Sequence, residues 1–131
     1  MKWTIHSTKL RSRILSIKES DVALAPLPQA DGQVKNRPVI LLRMMPPFGD
    51  WLVCGVSTQL AQEVVEFDEV IRMSDPDFIQ SGLNITSLVR LGFLAVLPRR
   101  SVAGAIGSIS RKRHERLIKQ LSQHLVEQLP K

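Results

Sequence analysis

Two unbroken apolar runs, joined by a turn rich in proline and glycine, constrain this chain more than any other feature. Val39–Leu42 follows Pro38, and Trp51–Val56 follows Pro46-Pro47-Phe48-Gly49-Asp50. Short apolar runs bounded by turn residues predict buried strands, and the tight connection predicts an antiparallel hairpin within Val34–Gln59. In such a pair the start of one strand lies beside the end of the next. Asn36-Arg37 is therefore expected to meet Ser57-Thr58-Gln59 at the end away from the turn. A guanidinium fork beside hydroxyl groups suits an anionic oxygen, above all a phosphate.

The flanking segments read as more strands. Asp21–Leu27 predicts a first strand whose end Pro26 places at an edge or bulge. Pro28–Asn36 predicts a polar loop with Asp31-Gly32 at its tip. Leu60–Phe67 reads as a loop and Asp68–Ile71 as a short strand. Ser74-Asp75-Pro76-Asp77 predicts the start of a helix of about two turns, its acids complementing the dipole and Gly82 stopping it. Ile85–Leu97 predicts a long strand with a bulge or bend at Gly92, and Val102–Ile109 a last strand whose small residues admit close backbone approach. Ser110 is placed to cap a terminal helix with the apolar stripe Leu117/Ile118, Leu121, Leu125 and Leu129, and Arg111, Lys112, Arg113, Arg116 and Lys119 fall largely outside it. Strands without alternating crossover helices predict a mainly β fold: a curled antiparallel sheet with a short inserted helix and a C-terminal α-helix.

The length, 131 residues with 44% apolar, fits one compact domain with a real core. No apolar run approaches the ~18 residues that span a bilayer, and no secretory h-region stands at the N-terminus. Cys54 is the sole cysteine and lies in an apolar run, which excludes an internal disulfide and points to a reducing cytoplasm and a small buried hydrophobe. The net charge of +6 resembles a nucleic-acid signature, yet its distribution weakens that reading. Residues 1–18 carry five cations and no acid, whereas residues 19–109 hold seven cations against ten carboxylates. The chain is accordingly divided into a basic N-terminal extension, 1–18, and a folded domain, 19–131.

Each candidate group also has a blander role. Arg37 can be a surface arginine paired with Asp31 or Glu69, and Ser57 and Thr58 can make local turn bonds at a strand end. The basic helix can be a solvated face or a nucleic-acid contact. Histidine chemistry has no support, because His6 lies in the extension and His114 and His124 on the terminal helix. No His/Cys cluster offers a metal site, and Gly104–Ser108 lacks the spacing and the lysine of a phosphate loop. Chemistry on a phosphate ester must then run without metal and without histidine. RNA permits this, because its 2′-hydroxyl is a built-in nucleophile and the protein need only align it, stabilise the phosphate charge and assist proton transfer.

The same segments resemble the MazF/PemK toxins of bacterial type II toxin–antitoxin systems. The resemblance begins at Asp21-Val22, runs through G-Q-V-K-N-R-P-V-I-L-L and V-C-G-V-S-T-Q, takes in S-L-V-R-L at Ser87–Leu91, and ends at G-S-I-S, Gly107–Ser110. It implies an SH3-like barrel that acts as a cytoplasmic homodimer, uses no cofactor or metal, and cleaves single-stranded RNA, usually mRNA, so inhibiting growth. It also implies an acidic antitoxin partner whose tail fills the RNA groove. The family's catalytic arginine maps onto Arg37, and its threonine onto Ser57 with Thr58 as partner. A further arginine of the PemK branch maps onto Arg90. Lys35, Asn36, Gln59 and Arg90 are the expected RNA contacts. Ser20 stands in place of a common glycine, Ser57 keeps the hydroxyl but lacks the methyl of threonine, and Gly92 stands where the PemK branch has an acid. That last departure favours an alternative: a non-catalytic barrel module, either an inactive toxin binding antitoxin or DNA, or a toxin acting on a protein target.

Overall fold

The structure, a computed structural model, describes residues 17–28 and 30–127. The extension up to residue 16 and the last stripe residue, Leu129, lie outside the described residues. Six strands form one sheet: β1 (Asp21–Pro28), β2 (Val34–Met45), β3 (Asp50–Ser57), β4 (Glu69–Ile71), β5 (Ser87–Leu97) and β6 (Gly104–Ser108). Among the described residues two α-helices accompany them, α1 (Phe78–Ser81) and α2 (Arg111–Val126). The sheet order is β4-β5-β3-β2-β1-β6, every pairing is antiparallel, and the sheet curls into a half-barrel. No helix among the described residues is long and apolar enough to cross a membrane.

The apolar runs are continuous because both faces of the sheet are covered. Val22, Ile40, Leu42, Val56, Leu117 and Leu121 belong to the cluster between the sheet and α2. Ala23, Ala25, Val39, Leu41, Trp51 and Val53 form a second cluster on the opposite face of the sheet. Alternate residues of one strand thus serve two cores, and period-two polarity disappears from the sequence.

β2 begins earlier than expected. Lys35, Asn36 and Arg37 are strand residues paired with Leu27, Pro26 and Ala25, so the loop is confined to the residues before Val34. Lys35 and Asn36 remain exposed, and a strand stretch with solvated side chains leaves no apolar mark in the sequence. Within the remaining loop Asp31 accepts the Gln33 N–H at 2.9 Å, an Asx turn at the expected tip. Pro26 lies past Leu24, where β6 has already left β1, so its missing N–H costs no ladder bond there. The bend at Gly92 is a three-residue offset. Cys54 pairs with Leu94 but Gly55 pairs with Arg90, and Leu91–Phe93 bulge from β5 between them.

Two helix expectations change. α1 is a single turn, and its acids leave the helix dipole for a tertiary partner. Arg113, at the first turn of α2 and 6% exposed, donates to Asp77 at 2.9 and 3.0 Å, to Asp75 at 3.0 Å and to Glu69 at 3.0 Å. Asp77 also accepts the Ser110 N–H at 3.0 Å, and the Ser110 hydroxyl caps α2 by accepting the Arg113 N–H at 3.2 Å. Arg113 is therefore part of the interior rather than of a solvated face. The apolar stripe buries Leu117 and Leu121 and stops there, because Leu125 is 60% exposed. Gly82, with φ 74, ends α1, and a side chain at Gly82 or Gly107 would strike the backbone of the facing segment. The small-residue run of β6 is the close approach that its composition predicts.

Candidate active site

At the end of the hairpin away from the Pro46–Gly49 turn lies a pocket of about 270 Å³. Its wall comes from four strands and the turn after β3. β2 contributes Arg37, β3 Gly55, Val56 and Ser57, β5 Arg90 and Phe93, and β1 Leu27 and Pro28. Ala30, Gln59 and Gln62 close the rim.

The register explains the convergence. Val39 lies opposite Gly55 at the last pair of the β2–β3 ladder, and two residues further along each strand stand Arg37 and Ser57, which both line the pocket. On the other side of β3, Gly55 lies opposite Arg90. Alternation then puts Arg37, Ser57 and Arg90 on the same face of the sheet as Val39 and Val53. Arg37 is half-buried, so its guanidinium works in a less polar setting than a surface cation would. The Ser57 hydroxyl accepts the Gln59 N–H at 3.0 Å. That bond closes the local turn and fixes the oxygen, and it leaves the hydroxyl proton as a donor. Arg90 lies over the Phe93 ring, 5.7 Å from its centroid, and Phe93 in turn lies against Gly55.

The other expected residues are not brought into this pocket. Thr58 is half-buried beside Ser57 but does not line it, and Lys35 and Asn36 stay exposed outside it. Glu69, one of the two carboxylates considered for Arg37, is engaged by Arg113 and by Arg116 at 2.8 Å. Phe93, Gln62 and Leu27-Pro28 are lining residues that the sequence does not single out. Gln62 was legible in principle: it follows Gln59 by three residues, and the one-turn 3-10 helix Leu60–Gln62 puts both on the same rim.

The described lining residues carry two guanidiniums and no carboxylate or imidazole. Nor does any group of three His, Cys, Asp or Glu side chains among the described residues lie close enough to hold a metal ion. The histidines on α2 are structural. His114 Nε2 meets the Leu42 carbonyl at 2.8 Å, and His124 packs on Phe67 with 4.8 Å between centroids. Cys54 is fully buried, and burial followed by the charge of Asp68 pushes its thiol well up, which makes it inert as a nucleophile. The pocket is thus built to hold an anion by hydrogen bonds and charge.

No protein-family model matches the sequence, and no curated protein matches it. Among solved structures, an endoribonuclease in complex with its cognate antitoxin, from a mycobacterial species, is similar to it over 88% of this chain and 100% of that chain, with a TM-score of 0.62 and 13% identity. The chain therefore shares its fold, a curled antiparallel half-barrel with a C-terminal helix, with a solved endoribonuclease.

Proposed function

We propose that the protein is the toxin of a type II toxin–antitoxin pair, a metal-independent endoribonuclease of the MazF/PemK kind that cleaves single-stranded RNA. The observation that carries this reading is the meeting of Arg37, Ser57 and Arg90 in one pocket whose described lining has no carboxylate. The fold it shares with a solved endoribonuclease supports it.

In this reading the scissile phosphate sits between Arg37 and Ser57. The 2′-oxygen attacks phosphorus, the 5′-oxygen leaves, and the products carry a 2′,3′-cyclic phosphate and a 5′-hydroxyl. Arg37 stabilises the negative charge on the equatorial oxygens and gives a proton to the leaving oxygen. The fixed Ser57 hydroxyl donates to one of those oxygens, with Thr58 supporting the turn that holds it. Arg90 holds a neighbouring phosphate or base, and Lys35 and Asn36 reach flanking nucleotides from the exposed start of β2. The proton of the 2′-hydroxyl passes to water. The partners are single-stranded RNA, an acidic antitoxin and a second copy of the chain, and the working compartment is the cytoplasm.

Gly92 and the lack of a carboxylate or imidazole among the described lining residues favour one other reading, a non-catalytic barrel module that binds antitoxin, DNA or a protein target. A digest separates the two. Purified protein is incubated with mixed-sequence RNA in excess chelator and the fragment ends are analysed. Fragments ending in cyclic phosphate and 5′-hydroxyl, with DNA of the same sequence left intact, are the expected result. Intact RNA at stoichiometric protein would reject the nuclease and leave the module.

A further inference from the structure

The phosphate-binding pair Arg37 and Ser57 occupies only one side of the pocket. The other side has a different character. Phe93 is thrown back toward β3 by the three-residue bulge, and its ring lies on Gly55, where a Cβ would come within 3.4 Å of the ring. The Arg90 guanidinium lies over the same ring, 5.7 Å from its centroid. The result is a planar wall, aromatic and cationic, held in place from behind by backbone. Gln59 and Gln62, both exposed residues with carboxamide side chains, line the same pocket. Among the described residues neither carboxamide makes a side-chain hydrogen bond, so each retains a donor and an acceptor.

A flat wall sharing one pocket with unused amide groups offers what recognition of a splayed-out base requires: stacking supplies affinity, and edge hydrogen bonds supply the choice of base. We infer that this half of the pocket holds one unstacked nucleobase next to the scissile phosphate, packed against the Arg90–Phe93 pair and read by Gln59 and Gln62, and that it sets the sequence preference of cleavage. The inference rests on the nuclease reading of the same pocket and adds to it Gln62 as a specificity residue and Phe93 as a positioning residue for Arg90.

The test uses the full chain and a randomised single-stranded RNA pool, with cleavage ends sequenced. Gln62→Glu turns an amide into an acceptor-only group and should change the preferred base at one position by about tenfold, the discrimination typical of a bidentate base contact. Gln62→Ala should relax that same position. Phe93→Leu should lower cleavage at all sequences by roughly tenfold, the scale of one lost stacking platform, chiefly through KM, with the preference at the other positions unchanged. Circular dichroism confirms folding, and the exposed Gln62 keeps the test valid if Phe93→Leu fails to fold. A wild-type enzyme that cuts RNA while both Gln62 variants keep its base preference at every position would overturn the base pocket and leave the nuclease standing. If the wild type cuts nothing, the nuclease reading fails by itself. Binding of uncleavable 2′-O-methyl homopolymers then decides: base-dependent affinity that Gln62→Glu reorders supports the pocket, and identical affinity for all four homopolymers removes it.

Discussion

Arg113 is buried at the first turn of α2 with its guanidinium spread over Asp77, Asp75 and Glu69, whereas Arg37 lies half-buried on the wall of a pocket whose described lining holds no carboxylate. Both are arginines near the start of a regular element, and both fall in basic stretches of the sequence. The fold uses Arg113 to tie α2 to β4 and to the acidic turn before α1. Three carboxylates meet its charge inside the protein, and nothing of it is offered to a ligand. Around Arg37 and Arg90 the described lining residues are apolar, aromatic, hydroxyl or amide. What separates a structural cation from a binding one here is the company it keeps.

Removing each arginine should therefore have opposite signatures. Arg113→Met leaves Asp77 and its neighbours buried without their partner, and breaking a buried pair in this way costs about 3–5 kcal/mol. Urea unfolding followed by circular dichroism should show that loss, with cleavage per folded molecule within about twofold of wild type, since Arg113 lies outside the pocket. A loss below about 1 kcal/mol would erase the contrast. Arg37→Ala should do the reverse. Cleavage should fall at least ~100-fold, the scale of deleting one preorganised donor to a developing oxyanion, with a smaller loss of unfolding free energy than Arg113→Met shows. A rate loss under about twofold in a folded variant would end the assignment of Arg37.

How much of this the sequence shows depends on how local each cause is. The hairpin, the Gly92 bulge and the Ser110 cap follow from short-range chemistry: apolar runs, turn residues and a hydroxyl one residue before a helix. Arg37 and Ser57 come to line one pocket only because the β2–β3 ladder shifts by one residue between Leu41 and Arg43, a bulge that the turn residues do not announce. The role of Arg113 is invisible from sequence, because its partners Glu69 and Asp77 stand 44 and 36 residues away and belong to elements whose packing no local pattern encodes. Asp75 and Asp77 read as helix starters for the same reason. Phe93 looks like any strand aromatic until the bulge lays it on Gly55. The solvated start of β2 lacks any apolar mark, which is why Lys35 and Asn36 read as loop.

The comparison can also be sharpened with acid, because Asp77 is the carboxylate that Arg113 holds most closely. Burial by itself would raise the Asp77 carboxyl, but hydrogen bonds from Arg113 and from the Ser110 amide, with the guanidinium charge, outweigh it and bring the pKa down to about 2 from an ordinary 3.8. A carboxyl whose folded value lies below its unfolded value favours the folded state wherever it is ionised. The contribution is fully present above about pH 4 and drains away as pH falls toward 2, and a shift of this size corresponds to about 2 kcal/mol. Asp77→Asn carries no such titration. The difference in unfolding free energy between wild type and Asp77→Asn, measured in urea at pH 6 and again at pH 2.5, should therefore shrink, with most of that 2 kcal/mol gone at the lower pH. Other acids titrate in both proteins and cancel in the difference. A gap that stays constant between the two pH values would mean that Asp75 and Glu69 hold the buried guanidinium and that Asp77 serves mainly to receive the Ser110 amide, which would move the anchor of α2 from α1 to β4.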